Sequence, residues 1–459
     1  MRALADLTAI RDSATFSRQL DALRDQEFAS AEARLAFQMS EVRRLLTHCG
    51  AHVPYYRRLF DRHGIDPQSI RTPDDFRRVP LLDKDTIKAH HADFIADTVD
   101  TRTLDHLTTG GSTGAPLKVM MDVEYKARRL ATTYYYMGLA GLNPEEFRSV
   151  RLHGNTLDAA LVGASTFWTL ETPAKLVMSS YHITAVTAPR YVEQINQHRP
   201  DYIHAFPSSL ALLAEYAEKL PLTVTARPRA VFCDSEVLYP WQRRLIERVF
   251  AAKVYDVYGH TEGAVLGVSC PASEKLHLVP QVGYAEILDD RDRPIAAPAQ
   301  AGWIVVTGFL NYAFPIVRYR TFDQGIVSRE GCPCGRQALL LDRIEGRLQD
   351  FVVDRAGGLV PLAPALFDYN FDWSGVDRFQ VYQETPGRLT FRVVPEAAAA
   401  QTFDALGRRI ASGFERILNG GFEIETVRLE AIEPTARGKR RYLDQKIDLA
   451  AFAPRRGGA

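Results

Sequence analysis

The stretch whose reading decides the fold class begins Ala230-Val-Phe-Cys-Asp-Ser-Glu236. It continues through Pro240-Trp-Gln-Arg-Arg-Leu-Ile-Glu-Arg-Val-Phe250 to Lys253-Val-Tyr-Asp-Val-Tyr258. Ala230 to Cys233 is a short apolar run that reads as a strand, Pro240 to Phe250 reads as a helix, and Lys253 to Tyr258 reads as another strand. Strand, helix and strand in alternation indicate an α/β architecture. Just upstream, Ser208 to Leu220 predicts a helix, because Leu210, Leu213, Tyr216, Ala217 and Leu220 fall on one face; Ser208, after Pro207, reads as its N-cap. Farther back, Phe28 to Leu46 has the spacing of an amphipathic helix, Pro80 to Lys84 a loop entering a short helix, and 105–120 a strand, Gly-rich loop and strand.

Downstream the pattern changes. Gly283 to Leu288 and Gly302 to Thr307 read as strands of a more antiparallel, barrel-like portion. Near Gly346 the chain starts again, with short strands at Phe351 to Val353, Gly358 to Val360 and Phe379 to Tyr382, and a helix from Ala400 to Leu418. We therefore expect a large domain over 1–346 and a small α+β C-terminal domain over 347–459.

Composition bounds the function. The chain has 459 residues with 46% apolar and 24% charged, ordinary values for a globular enzyme. Lys+Arg and Asp+Glu are both 56, so the formal net charge is zero. That argues against a strongly basic nucleic-acid protein and an acidic tail, and leaves a local pocket for a charged ligand open. No run of about 18 apolar residues reads as a membrane span, and the first residues do not read as a secretory signal. Five cysteines, an odd and sparse number, suggest a reducing compartment, and we expect the cytoplasm.

Three motifs carry chemistry. Thr108-Thr-Gly-Gly-Ser-Thr-Gly-Ala-Pro116 joins glycines and hydroxyls in one loop, which frees backbone N–H groups to face a phosphate; a Gly/Thr surface turn is its plain alternative. In Val257-Tyr-Gly-His-Thr-Glu-Gly263, the Tyr258 ring could stack on a purine and Glu262 could hold Mg²⁺; the alternative is a strand-to-loop turn with an exposed Glu. In Pro315-Ile-Val-Arg-Tyr-Arg-Thr-Phe-Asp323, Asp323 could accept both ribose hydroxyls; the alternative is an ordinary strand with a charged face.

Taken in this order, the set resembles the adenylate-forming superfamily of acyl-CoA synthetases, in its phenylacetate-CoA ligase-like branch. Val53-Pro-Tyr-Tyr-Arg57, Gly64-Ile-Asp-Pro67 and Val79-Pro-Leu-Leu-Asp-Lys84 resemble that branch's N-terminal region. The resemblance implies a multi-subdomain N-terminal adenylation domain joined by a hinge to the small C-terminal domain. It implies that ATP and Mg²⁺ activate a carboxylic acid to an acyl adenylate with release of pyrophosphate, followed by transfer, with CoA the default acceptor. Thr109, Gly110, Gly111, Ser112, Thr113 and Gly114 match the phosphate loop, Ser235 and Glu236 the adenine-side loop, and Tyr258, Gly259, His260, Thr261 and Glu262 the motif with the stacking Tyr and Mg²⁺-linked Glu. Asp323 matches the ribose position, with Phe322 where Gly is more usual. Arg347 falls near the ribose, Asp350 at the hinge, and Lys439, in Arg437-Gly-Lys439, at the catalytic lysine; the alternative for Lys439 is a solvated basic run. Thr109, Glu262 and Lys439 are the implied catalytic set.

Phe351-Val-Val-Asp-Arg-Ala-Gly-Gly358 departs from the pattern after the hinge, which keeps an amine acceptor in competition with CoA. An adenylyltransferase leaving AMP on its product and a non-catalytic nucleotide binder are further alternatives. His204, Phe206, Pro207, Ser235, Tyr258 and His260 are expected to line the acid pocket; Phe206 and Tyr258 suit a flat ring, hence an aryl or arylacetic acid. Cys270, His277, Cys332 and Cys334 form a competent tetrahedral zinc set, with four unconnected side chains as the alternative. Such a metal occurs in some members of the resembling branch. Cys49 and Cys233 read as core residues. Small-molecule partners are expected, with no nucleic acid and no membrane, and a homodimer is compatible with this reading.

Overall fold

Ser30 accepts the Ala33 N–H, so the first long helix starts at Ala31, three residues after the expected Phe28; it runs over Ala31–His52 and buries Met39, Val42, Leu45, Leu46 and Cys49. The computed structural model describes all residues except 1, 109–116, 145, 156, 158, 296–298, 348–349, 368–370, 419, 434–440 and 453–459. The chain divides into two compact units, one of residues 1–147 and 255–344, the other of 148–254 and 345–459.

The first unit carries an antiparallel sheet in the order Gly283–Leu288, Ala301–Gly308, Tyr319–Val327, Leu339–Arg347, Ser273–Leu278, Leu266–Cys270 and Lys253–Gly259. The expected antiparallel change after residue 280 is present. Among the described residues, Gly283–Leu288 and Lys253–Gly259 do not pair with each other. The core joins Val42, Leu45 and Leu46 to Leu276, Ile304, Val306 and Phe314. Asp105–Thr108 and Lys118–Met121 pair separately and antiparallel, with Thr108 opposite Lys118. The motif around Pro315 becomes strand only at Tyr319.

The second unit has parallel strands in the order Ala230–Asp234, Tyr202–Ala205, Ser149–His153 and Lys175–Ser179, with Trp168–Thr172 antiparallel at the edge. Their apolar runs follow from burial: Val150, Leu152, Ile203 and Val231 are inaccessible, and pack with Leu210 and Leu213 of the helix Pro207–Lys219 and Ile246 and Phe250 of Pro240–Phe250. Cys49 and Cys233 are fully buried, as expected.

Residues 345–459 of this unit build a second core around Val381, Phe391, Ile410 and Phe414. Its sheet runs Glu423–Arg428, Arg388–Pro395, Val376–Gln383, Leu443–Gln445. The expected helix from Ala400 begins later: Ala397–Thr402 is a tighter 3-10 turn and the α-helix spans Phe403–Ile417. Ser208 is also not an N-cap. Pro207 opens the helix, and the Ser208 N–H and Oγ both donate to the Glu236 carboxylate, at 2.9 and 3.0 Å.

Candidate functional site

In the first unit, Tyr258 lies near the end of its strand and Asp323 within Tyr319–Val327. The Tyr258 Oη donates to Asp323 Oδ2 at 2.7 Å, across 65 residues of sequence. Asp323 is buried. Before it, Phe322 has φ +60°, which explains why Gly suits that position: a left-handed φ costs an L-residue roughly 1–2 kcal/mol.

The turn after Tyr258 is fixed by close approaches. Gly263 has φ +67°, and a Cβ there would lie 1.8 Å from the Tyr125 Oη; a Cβ on Gly283 would lie 2.2 Å from the Ala264 carbonyl oxygen. The turn places Glu262 inside the protein, contrary to the alternative of an exposed Glu. Its Oε1 accepts from the Tyr319 Oη at 2.9 Å, and its Oε2 lies 3.1 Å from the His260 Nδ1. Burial would raise the Glu262 pKa, but the close approach of His260 and the hydrogen bond from the Tyr319 hydroxyl outweigh it and lower it to about 2. Gly259 ends the strand and pairs with Leu266, and Thr261 lies in the turn. Arg318 and Arg320 are both engaged. Arg318 is buried in an ion pair with Glu286 at 2.9 Å, and Arg320 pairs with Asp292.

Thr109, Gly110, Gly111, Ser112, Thr113, Gly114 and Lys439 lie outside the described residues. Arg347 ends its strand. Gly346, with φ +138°, brings the chain close to Asp350, whose Cβ would stand 3.2 Å from a Cβ at Gly346.

The second unit gathers the expected acid-pocket residues differently from the sequence reading. His204 is not isolated: its Nε2 lies 3.0 Å from Asp234 Oδ2, and His153 Nε2 lies 3.2 Å from Asp234 Oδ1. Phe206 packs edge-to-face on His153 at 4.5 Å. Ser235 has φ +67°, a strained position beside the carboxylate. Sequence reasoning missed His153, Tyr319 and the side chain of Asp234. The available signal was a polar residue ending an apolar strand, since ligands of parallel sheets gather at the carboxyl ends of strands.

The four expected zinc ligands converge in the first unit, with all ligand atoms within 4.8 Å of one another. Cys270 Sγ is 3.5 Å from Cys332 Sγ, and Cys334 Sγ is 3.6 Å from His277 Nε2. A tetrahedral zinc with bonds of about 2.3 Å needs ligand separations of roughly 3.7 Å, so the donor set fits. Among the described residues no helix is long and apolar enough to cross a membrane.

A mixed α/β fold with the Tyr258–Asp323 and His260–Glu262–Tyr319 groupings defines a class. The chain belongs to the AMP-binding enzyme family, whose pattern it matches over residues 28–311. It is an AMP-forming acid ligase, and its similarity runs to the phenylacetate-CoA ligase-like branch. The phenylacetate-coenzyme A ligase of Thermus thermophilus is 26% identical over 71% of this chain and 73% of that protein. Protein CapK of Staphylococcus aureus is 23% identical over 67% of this chain and 66% of its own. Among solved structures, 2-hydroxyisobutyryl-CoA ligase in its postadenylation state matches with a TM-score of 0.72 at 19% identity, covering 92% of this chain and 91% of that one.

Proposed function

We propose that the protein uses ATP and Mg²⁺ to convert an aryl or arylacetic acid into an acyl adenylate and then transfers the acyl group to the thiol of CoA. The observation that carries this reading is the Tyr258–Asp323 hydrogen bond, which joins the residues the family resemblance gives to adenine stacking and to the ribose hydroxyls. The substrate carboxylate attacks the α-phosphorus and pyrophosphate leaves. The protein's part is positioning and charge stabilisation.

In this reading Thr109 to Gly114 hold the phosphates, Ser235, Glu236 and Arg347 serve the nucleoside, and Lys439 meets the charge developing at the α-phosphate. Glu262 is a single ionised carboxylate, a donor set that suits Mg²⁺, which takes one or two carboxylates plus phosphate oxygens. Mg²⁺ would supply neutralisation of phosphate charge. His204, Phe206, Pro207, Ser235, Tyr258 and His260 serve the acid. Cys270, His277, Cys332 and Cys334 hold a structural zinc. Residues 347–459 act as a domain that turns about Asp350 between the two half-reactions. The phenylacetate-coenzyme A ligases and 2-hydroxyisobutyryl-CoA ligase support CoA as acceptor by analogy.

The test is pyrophosphate release over a panel of carboxylic acids, with intact-mass analysis of each product. A CoA thioester supports the proposal. An amide formed with an added amine replaces CoA as acceptor. A stable AMP conjugate makes the protein an adenylyltransferase, and ATP binding without any release makes it a nucleotide binder.

A further inference from the structure

His153, His204 and Asp234 each lie at the carboxyl end of a parallel strand: Ser149–His153, Tyr202–Ala205 and Ala230–Asp234, which are immediate neighbours in the sheet. This edge of a parallel sheet is where ligands bind, because the strand ends and the loops that follow them form a crevice. We propose that the three side chains form a specificity-determining relay that recognises a hydrogen-bond-donating substituent, a hydroxyl or amino group, on the acid substrate. The proposal rests on the adenylation reading above and names the substrate class.

His153 Nε2 and His204 Nε2 lie 3.2 and 3.0 Å from different oxygens of Asp234. An ionised carboxylate only accepts, so each Nε2 must carry the proton. In a neutral imidazole that leaves Nδ1 as a lone pair. Both ring N–H donors are then spent inside the relay. What the carboxylate has left to offer a ligand is acceptors only, the spare lone pairs of Asp234 beside those taken by the two Nε2 atoms. A hydroxyl or amine finds a partner there, while an ether, a carbonyl or a second carboxylate finds none. Asp234 and His204 are 27% and 24% exposed at the side chain, against 15% for His153, so the relay is most open where these acceptors lie.

The protonation states agree. Burial would raise Asp234, but the two imidazoles outweigh it and hold the carboxyl well below its ordinary value. Burial lowers His153 against the pull of Asp234, which keeps that ring neutral at pH 7. The ring planes of His153 and His204 stand 88° apart with centroids 4.9 Å apart, and Phe206 packs against His153 at 86°. These contacts fix the orientation of His153.

Two histidines and a carboxylate also make a familiar divalent-metal set. The geometry disfavours it. A histidine that binds metal through Nε2 donates from Nδ1 to a second group. The His153 Nδ1 is buried with no partner among the described residues. As a lone pair it is tolerated more easily than an N–H that finds no acceptor.

The experiment compares matched aryl acids bearing hydroxyl, amino, methoxy or hydrogen at each ring position. It measures kcat and KM for pyrophosphate release, and binding of the acid alone by calorimetry. At the best position, the hydroxyl or amino acid should exceed its methoxy counterpart by about 10–100-fold in kcat/KM, chiefly through KM, the range expected for a hydrogen bond to a charged group. D234N places a donor where the acceptor stood and should shrink or invert this gap; His204→Phe should shrink it.

Equal use of hydroxyl and methoxy acids by the unaltered protein would overturn the relay without needing any variant. So would equal loss on all acids in both variants, which marks a structural role. Uptake of a divalent metal that is lost in His204→Phe and kept in Cys332→Ser would replace the relay with a metal site. Turnover without selectivity removes the relay and leaves the adenylation reading standing. Selective binding without pyrophosphate release does the reverse, and binding of no acid removes both.

Discussion

Glu262 is a carboxylate held ionised inside the protein by a histidine and a tyrosine hydroxyl. Its folded-state pKa is lowered from the ordinary 4.5 to about 2. The stabilisation it contributes is therefore present above about pH 4.5 and is lost as the pH falls through about 2. By linkage that is worth roughly 3 kcal/mol at neutral pH. Urea unfolding followed from pH 5 down to pH 2 should show this loss in the unaltered protein and a flatter profile in Glu262→Gln. An identical pH slope in the two would mean that Glu262 does not titrate with folding. The same residue shows how far single positions could be read in advance. Its type and its neighbours His260 and Gly263 were legible, but Tyr319 was not, because the strand that carries it begins 57 residues downstream.

At the scale of elements, two local arrangements lend themselves to measurement. The helix Pro207–Lys219 has no side-chain cap from its own N-cap residue, and Glu236 supplies the missing acceptor from the loop after the next strand. Glu236→Ala should lower unfolding stability by about 1 kcal/mol, the usual cost of losing a cap, with an anion at the positive end of the helix contributing part of it. Glu236→Gln, which keeps an acceptor but not the charge, should fall between. The sequence suggested Ser208 for this task, since a serine after a proline is an ordinary start signal. Proline, preset for the first helical turn, took that start itself and pushed Ser208 inside. The second arrangement is the Cys270, His277, Cys332 and Cys334 cluster, which ties the hairpin Leu266–Cys270 and Ser273–Leu278 to the loop at Cys332. Protein prepared without chelator should carry about one zinc per chain by elemental analysis, as a closed four-ligand site requires. Cys332→Ser should lose the metal and melt at a lower temperature, with ATP affinity little changed. Absence of zinc from the unaltered protein would remove the site.

For the whole molecule, the proposal that residues 347–459 turn about Asp350 separates the two half-reactions. Lys439→Ala should slow adenylate formation by about 10²–10³-fold, the loss typical of one preorganised charge-stabilising donor. Transfer from a pre-made acyl adenylate should suffer far less. Asp350→Pro should do the opposite, because proline fixes φ near −65° and hinders a rotation there while leaving ATP use largely intact. Single-turnover assays of each half-reaction would read both effects. Equal damage to both halves in Lys439→Ala would make that lysine a general ATP-binding or structural residue and would count against the two-conformation scheme. Residues 345–459 have their own core and sheet within the second unit, and they touch the rest of that unit at the Tyr216–Arg378 contact and at Tyr442 beside Tyr239.

Sequence alone determined the α/β class, the family, and the residues worth watching in each motif, because these depend on local pattern: apolar periodicity, glycine and hydroxyl content, and short-range spacing. It also suggested the Cys and His set, since thiols are sparse enough in this chain for a cluster to stand out. Tertiary structure decided what those residues touch. The order of the antiparallel strands, the burial of Glu262, and the pairing of Arg318 with Glu286 all depend on which strands become neighbours. The same holds for His153 and Asp234. They are 81 residues apart and meet because their strands flank a common neighbour in a parallel sheet. Parallel neighbours are linked by long crossovers, so no local pattern records which strand ends will share a crevice.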